Sequence, residues 1–429
     1  MRPARRLRRR RAVMVAGAAA LLGSTVASTA VASAATARSA GKTITYLYFT
    51  NGPDLNATKT LIARFEKQTG DTINLNVVPY ASEAQILQAD LSAGDPPALV
   101  ETTTPATFGT NLVDLGTALG KSWVSTLAPS LLGQAVFHNK IVALPNQLTV
   151  AGPFVNVAMF KKAGVAVPSL SKGWTWSQMV ADAEKVAKAN GTPFALAMDH
   201  SGARTANVFC QFGAFLFGSN GKEAMSGPAA LKAMTYLSGL FEKNVISKAA
   251  WIAAGSAYAS GATEFLAKQA PVLLSGSWQV ASFLQSAPFA WQAVPNPRAK
   301  FGGAMSGGNY LEVFKKSNDP AVAEQFVKFL SEPQNQSYMS VLSDTIPSSR
   351  SLSTPGSVPF KGSAKVAMET FTQGATLMPA GCNLSEANPG FGVTSSDLMG
   401  QLTSVMAGQT SATAAVNNVL KVARVNNGV

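Results

Sequence analysis

Strand-like and helix-like patterns of apolar residues alternate along the chain from residue 44 onward. β-branched and aromatic residues concentrate at 44–49 and 72–80, and a short apolar run follows at 98–100, which predicts three strands. Helical spacing lies between these segments, and the first helix is predicted to end at Gly70, a residue suited to the left-handed position after a helix. This β-α-β-α-β order predicts an α/β fold with a mostly parallel sheet and right-handed crossovers.

The segment 141–160 departs from this alternation, because it holds two strand patterns with no helix between them. Such a passage suits a chain that crosses from one lobe to another. The Ser- and Pro-rich stretch 346–359 is predicted to be a loop or a second crossing. Further strands are predicted at 271–278, 289–297 and 309–316, and further helices at 176–189, 228–242, 261–268, 394–407 and 411–423, with another that is capped by Asn318 or Asp319.

The length of the chain also favours two lobes. The 395 residues that follow position 34 are more than one hydrophobic core usually serves. We predict a first lobe from residues 42–148 plus 290–345 and a second lobe from residues 149–289 plus 346–429.

The N-terminus has the layout of an export signal. Seven arginines lie within the first eleven residues, and an apolar stretch at 12–23 leads to Ala32-Ser33-Ala34, a small-residue cleavage site. We therefore predict a signal peptide over residues 1–34, with Sec export favoured over the twin-arginine route. Because the first cysteine is Cys210, we expect no lipid anchor and a protein free in the periplasm or the medium.

Removal of this segment changes the charge of the chain. The whole sequence has a formal net charge of +13, but residues 35–429 hold 28 basic and 22 acidic residues. An excess of this size does not indicate nucleic-acid binding, which would need a basic cluster or stripe. Cys210 and Cys382 would meet in an oxidising compartment, where either a disulfide or two buried thiols fits the sequence.

Signatures of enzymes and cofactors are scarce. The sequence has no phosphate-binding loop, no dinucleotide fingerprint, no H-E-x-x-H and no G-x-S-x-G. His138 and His200 are the two histidines, and the sequence around each favours a turn or strand-end residue over a catalytic one. We predict no enzymatic activity, no cofactor and no metal.

Five segments, taken in order, resemble the family-1 extracellular solute-binding proteins of ABC transporters. They are similar to the opening strand-helix-strand of that family, its A-G-x-x-P segment, its crossing segment, its G-x-W segment and its G-G block. The segments are ITYLYFTNGPDLNATKTLIARFEKQTGDTINLNVV (44–78), LSAGDPPALVETTT (91–104), ALPNQLTVAGPFVNVAMFKKAGVAVPSLSKGWTWSQMV (143–180), EFLAKQAPVLLSGSW (264–278) and SGGNYLEVFKKSNDPAVAEQFVKFLSEPQNQSYM (306–339).

The resemblance implies a two-lobed, type II periplasmic-binding-protein-like fold. Each lobe would be a mostly parallel sheet flanked by helices, joined by crossing strands, and a ligand would bind in the cleft between them. The implied function is capture of a sugar or polyol and its delivery, by a monomer, to the permease subunits of an ABC importer. The glycerol-phosphate branch has an arginine in its C-terminal segment, whereas residues 387–396 have none, so a neutral sugar is preferred.

Candidate ligand-binding residues follow from the loops after predicted strands and from the family positions. Polar side chains should pair with hydroxyl groups, and an aromatic ring should lie against the C–H face of a sugar. Trp278 is the leading candidate for that ring, with Phe391 as a second. The full set is Asn51, Glu101, Thr103, Gln147, Asp199, Trp278, Gly308, Asn309, Asn388 and Phe391.

Three alternatives stay open at this level. One is a secreted enzyme on a similar two-lobed scaffold, since a fold does not determine a function. Another is a binder of a different ligand class, such as a phosphorylated polyol or a peptide. The last is a sensor or adhesin that uses the same fold.

Overall fold

The chain folds into helices packed against a large mixed sheet. A computed structural model describes residues 41–49, 54–128, 132–218, 222–255 and 258–426. The predicted signal peptide and the candidate residue Asn51 lie outside these described residues. The strands are β1 Thr43–Phe49, β2 Thr72–Val78, β3 Leu99–Thr102, β4 Val136–Phe137, β5 Lys140–Ile141, β6 Ala143–Asn156, β7 Leu196–Met198, β8 Val272–Gly276, β9 Trp291–Ala293 and β10 Ser306–Val313.

The helices of the described residues include every predicted helix and several that were not predicted. They are α1 Asp54–Thr69, α2 Tyr80–Ala93, α3 Leu115–Thr126, α4 Val157–Lys162, α5 Trp176–Asn190, α6 Gly202–Phe212, α7 Gly227–Glu242, α8 Lys248–Ala253, α9 Ala262–Leu266, α10 Val280–Ser286, α11 Pro320–Ser331, α12 Pro333–Ser343, α13 Gly362–Thr376, α14 Ala380–Glu386, α15 Phe391–Met406 and α16 Ala412–Val425.

Local sequence explains where several helices begin and end. The helix α1 ends one residue before Gly70, whose φ is 84°. Thr175 and Gln178 form a reciprocal capping box at the start of α5, and Gly191 closes that helix in the left-handed conformation. The prediction of a side-chain cap on α11 is wrong, because the Asp319 carboxylate instead pairs with Lys42 at 2.7 Å.

The sheet has the order β2-β1-β3-β10-β6-β8-β7, and β9 also pairs with β6. β1 is parallel to both β2 and β3, as the β-α-β-α-β pattern predicts. β10 is antiparallel to β3 and to β6, so it brings a later part of the chain into the middle of the sheet.

The crossing segment is one continuous strand rather than the two that were predicted. β6 runs for 14 residues and is buried along nearly its whole length. Residues 143–150 pair with β10, whereas residues 151–156 pair with β8 and β9. No turn interrupts the strand, because Pro145 and Gly152 are both accommodated within the extended backbone. β6 therefore joins the two halves of the sheet.

Buried apolar side chains form separate cores on the two sides of this strand. One side includes Leu61, Phe65 and Phe326, from α1 and α11. The other includes Phe154 from β6 and Phe209 from α6. These groups are the cores of the two lobes.

The predicted lobe boundary at residue 290 separates β9 from the half of β6 with which it pairs. It assigns β9 to the first lobe, whereas β9 pairs with the C-terminal half of β6. Trp291 packs edge-on against Phe154, and Ala293 and Val294 belong to the second core. Burial of these side chains packs the β9 segment against the second core.

The two cysteines form a disulfide bond, which decides between the alternatives left by the sequence. Cys210 lies on α6 and Cys382 on α14, with a Cα–Cα distance of 5.9 Å and a sequence separation of 172. The bond therefore ties two distant segments of the second lobe together. Among the described residues, no helix is long and apolar enough to cross a membrane.

Candidate functional site

Two cavities meet where the two lobes face each other. The smaller has a volume of about 310 Å³ and the larger about 630 Å³, within the range of small-molecule sites. Both are lined by Thr149, Trp278, Ser282 and Asn309, so they form one continuous cleft. The smaller cavity is also lined by Asp54 and Gln147, and the larger one by Thr103, Asp199, Arg204, Gly308 and Glu386.

The first-lobe side of the cleft, here called the first wall, consists of Asp54, Glu101, Gln147 and Asn309. Three of these residues come from neighbouring strands, since β10 lies between β3 and β6. Asn309 is directly opposite Gln147, and the register shifts between Asn309 and Tyr310. Irregularities of this kind re-aim side chains next to functional sites.

Hydrogen bonds connect all four side chains of the first wall. The Asn309 amide donates to Glu101 Oε1 at 2.5 Å, and Tyr46 donates to Glu101 Oε2 at 2.9 Å. The Gln147 amide lies 3.4 Å from Glu101 Oε1 and 3.4 Å from Asp54 Oδ2. The first wall is therefore a polar network held by the protein itself before any ligand binds.

Burial controls the charge of this network. Glu101 is fully buried, and burial raises the pKa of its carboxyl group well above the ordinary value, with the nearby Asp54 acting in the same direction. The hydrogen bonds from Tyr46 and Asn309 act in the opposite direction. Glu101 lies beneath the cleft surface, whereas Asp54, Gln147 and Asn309 line it.

The second-lobe side, here called the second wall, is built around Trp278. This side chain is half-buried, belongs to the turn after β8 and lines both cavities. Its ring folds back over Gly276, where any Cβ atom would overlap the indole. The glycine of the SGSW segment is thus required by the position of the ring and not by the backbone, which is extended there.

Arg204, Asp199 and Glu386 complete the second wall. The Arg204 guanidinium lies 4.8 Å from the centre of the Trp278 ring. Asp199 accepts hydrogen bonds from the Gly261 amide at 2.8 Å and from the Ser275 hydroxyl at 2.6 Å. Burial raises the pKa of Asp199, which the positive charge of Arg204 opposes. Burial also raises the pKa of Glu386 to about 8, so this carboxyl group is mostly protonated at neutral pH.

The structure brings most of the predicted residues to the cleft. Thr103, Gln147, Asp199, Trp278, Gly308 and Asn309 line it, and Glu101 lies directly behind. Gly308 has a φ of 129°, and a side chain there would overlap the backbone of β6 at Gln147. The glycine therefore makes room for the neighbouring strand β6. The expected reason was a close approach of the backbone at Gly308 to a ligand.

Two predicted residues do not line the cleft. Phe391 begins α15 and is packed into the second core, with 9% of its surface exposed. Asn388 is buried, and its side-chain oxygen accepts a hydrogen bond from the Gly390 amide at 2.8 Å. Both positions serve the start of α15, because the loop before this helix folds inward.

Sequence reasoning missed Asp54, Arg204 and Glu386. Asp54 lies in the first turn of α1, where an aspartate is also typical of an ordinary helix start. Arg204 had a detectable signal, since it is the only charged residue of α6 and follows a predicted strand end. Glu386 had none, because its place in the cleft depends on the path of the chain between α13 and α15.

Known proteins agree with this architecture. Residues 50–337 match the family model described as bacterial extracellular solute-binding protein. The multiple sugar-binding protein of Streptococcus mutans is 22% identical over 317 residues, which is 67% of this chain and 71% of that protein.

Two solved structures show the same fold at low sequence identity. One is an ABC substrate-binding protein of Listeria monocytogenes in complex with cycloalternan, with a TM-score of 0.74, 20% identity, and coverage of 89% of this chain and 97% of that one. The other is the cyclic α-maltosyl-1,6-maltose binding protein of Arthrobacter globiformis, with a TM-score of 0.74, 17% identity, and coverage of 90% and 99%.

The fold and cleft define a two-lobed solute-binding protein. The chain belongs to the family of bacterial extracellular solute-binding proteins, because the family model matches well over half of its length. Family membership also identifies it as an exported protein, consistent with the disulfide between Cys210 and Cys382.

Proposed function

We propose that this protein captures a sugar or an oligosaccharide in its cleft and delivers it to the permease of an ABC importer. The observation that carries this proposal is the pairing of Trp278 with the polar first wall across one continuous cleft. Relatives that carry sugar-binding names support the same conclusion. The protein would act as a monomer and release its ligand chemically unchanged.

The chemistry of a sugar fits the groups that line the smaller cavity. Each hydroxyl that is buried without a hydrogen-bond partner costs about 1–3 kcal/mol, so the site must supply partners in advance. The Asp54 carboxylate can accept from hydroxyls, and the amides of Gln147 and Asn309 can donate to them or accept from them. The Trp278 ring supplies an apolar surface for the C–H face.

Closure of the cleft would follow from the way in which the lobes are joined. We place the first lobe at residues 42–148 plus 306–345 and the second at residues 149–305 plus 346–429. The chain crosses between them along β6 and near Ile346, which pairs with Leu148. A hinge at these crossings would bring the two walls together around the ligand and exclude water.

Export would precede binding. Residues 1–34 would direct the chain out of the cytoplasm and be removed after Ala34, leaving a protein in the periplasm or the medium without a lipid anchor. Mass spectrometry of the secreted protein tests this, since the expected N-terminal residue is Ala35. A mature chain that keeps residues before Ala32 would contradict the cleavage site.

Isothermal titration with neutral oligosaccharides, including maltotetraose and cycloalternan, tests the binding proposal. We expect saturable heat with at least one sugar and no change in that sugar on prolonged incubation. Trp278→Ala should weaken binding by about thirtyfold, corresponding to about 2 kcal/mol for a buried aromatic contact.

Trp291→Phe is the matched control, because Trp291 is also half-buried but lies in β9 among second-core aromatic rings. This variant should bind as the wild type does. Equal affinity in the Trp278→Ala and Trp291→Phe variants would contradict the proposed site, and a hydrolysed sugar would indicate an enzyme instead.

A further inference from the structure

The larger cavity contains a buried cation that the capture of a neutral sugar does not use. Arg204 is 7% exposed, lines this cavity and stacks on Trp278. It lies near the start of α6, and the Ser201 hydroxyl accepts from its backbone amide. The first turn of α6 therefore carries Arg204, and its guanidinium packs against an aromatic ring.

The donors of this guanidinium are not used within the described part of the chain. Arg204 Nε is buried and has no hydrogen-bond partner there. Arg204 takes part in no ion pair with another described residue. A guanidinium can make five hydrogen bonds in a planar fork, and leaving it buried without them is costly.

The nearby acids do not fill this role. Asp199 is the main negative charge near Arg204, but its two oxygens accept from Gly261 and Ser275. Burial raises the pKa of Glu386 to about 8, so this group carries less negative charge at neutral pH than an exposed glutamate does. These carboxyl groups temper the charge of Arg204 from a distance without occupying its donors.

We propose that the larger cavity is a subsite for an acidic group, a carboxylate or a phosphate, on the saccharide that the cleft binds. A planar oxyanion can accept two parallel hydrogen bonds from one guanidinium, which gives both strength and orientation. The inference rests on the proposed function, whose neutral contacts lie in the smaller cavity. It also revises the preference for an uncharged sugar, because α6 supplies the arginine that residues 387–396 lack.

The disulfide bond supports a prearranged subsite. It links α6, which carries Arg204, to α14, which ends at Glu386. The two helices that carry these cavity residues are therefore joined by a covalent bond. Such preorganisation lowers the cost of ordering the site when a ligand binds.

Titration of the protein with matched probes tests this subsite. Trigalacturonate is compared with its methyl ester, which has the same skeleton without charge, and glucose 6-phosphate is compared with glucose. We expect one acidic probe to bind at least about thirtyfold more tightly than its neutral partner, as for a buried charge pair. The identity of that probe distinguishes a carboxylate ligand from a phosphate ligand.

Substitutions of Arg204 test whether its positive charge causes the preference for an acidic probe. Arg204→Met should abolish the preference for the acidic probe over the neutral one, and Arg204→Lys should keep part of the preference. Arg64→Met is the matched control, because Arg64 also stacks on an aromatic ring, that of Tyr338, at 4.2 Å on the exposed side of α1.

Each outcome separates the two proposals. Equal binding of acidic and neutral probes, or a preference that survives Arg204→Met, would overturn the acidic subsite while leaving sugar capture intact. If no saccharide binds but inorganic phosphate binds in an Arg204-dependent manner, the anion subsite stands and the proposed sugar function fails. If neither saccharides nor phosphate show a dependence on Arg204, the subsite is refuted.

Discussion

The two walls of the cleft are built on opposite principles. In the first wall, carboxyl and amide groups from adjacent strands and α1 bond to one another, so Glu101 is already satisfied by Asn309 and Tyr46. In the second wall, Arg204 stacks on Trp278 but has no hydrogen bond to its Nε among the described residues. The first wall is complete without a ligand, whereas the second needs one.

This difference separates general from selective recognition. A self-satisfied polar network offers acceptors and donors to many hydroxylated ligands at little reorganisation cost. A buried cation without a hydrogen-bond partner favours ligands that carry an acidic group. A ligand without such a group leaves the charge unsatisfied. We therefore expect substitutions in the first wall and its support to change stability, and substitutions in the second wall to change ligand choice.

The largest expected effect concerns how the stability of the folded protein depends on pH through Glu312, a buried residue of the first lobe. Glu312, on β10, accepts from the Ala106 amide at 2.6 Å, and burial raises its pKa to about 8. Because the folded state holds this proton, the stability from Glu312 is complete below pH 4.5 and is lost as the pH rises to about 8. Glu312→Gln should be more stable than the wild type at pH 8, by on the order of 4 kcal/mol, and nearly equal to it at pH 4.

Thermal unfolding monitored by circular dichroism across pH 4 to 9 measures this difference. Glu242→Gln, at an exposed position on α7, is the matched control. A difference between Glu312→Gln and the wild type that stays constant across this range would show that Glu312 is not held as a buried acid.

The next largest effect concerns the contribution of the disulfide bond to stability and to ligand binding in the second lobe. Replacing both Cys210 and Cys382 by serine should lower the free energy of unfolding by about 3 kcal/mol, since the bond closes a long loop. Affinity for an acidic probe should fall more than affinity for its neutral partner, because α6 and α14 carry the charged residues. Denaturant titration and calorimetry measure the two quantities, and reduced wild-type protein serves as the reference.

A variant that unfolds at the same denaturant concentration as the oxidised wild type would refute the stabilising role of the disulfide. Equal losses of affinity for both probes would instead mean that the bond holds the cleft as a whole, and the contrast between the walls would weaken.

The smallest effect concerns the position of the indole. Gly276→Ala should displace the Trp278 ring, because the added methyl group would overlap it. We expect ligand affinity to fall by about tenfold, equivalent to about 1.4 kcal/mol, with little change in unfolding. Fluorescence titration of the tryptophan emission measures the change.

Gly400→Ala is the matched control, since nothing lies near a Cβ atom at this exposed position of α15. It should leave affinity unchanged and stabilise the helix by about 0.5–1 kcal/mol. Wild-type affinity in Gly276→Ala would show that the ring tolerates another position.

Much of the fold was predictable because local signals agreed with it. The period of apolar residues located β1, α1 and β2, and Thr175 with Gly191 marked both ends of α5. The pairing of β9 with β6 was not predictable, because β9 is a short strand whose partner lies far away in the sequence.

The site was only partly predictable. Trp278, Gln147 and Asn309 stand in recognisable segments next to strands, so position along the chain was informative. Phe391 was misjudged, because a phenylalanine between glycines has the same pattern whether it faces a core or a cleft.

The sequence by itself determined the alternation of strands and helices, the class of protein and the segments that reach the cleft, because these depend on short-range periodicity and local turn chemistry. Only the tertiary structure decided that Cys210 bonds to Cys382, that β6 is a single crossing strand and that Arg204 lies buried against Trp278. These features depend on contacts between residues that are distant in the chain, and no local pattern encodes which distant groups become neighbours.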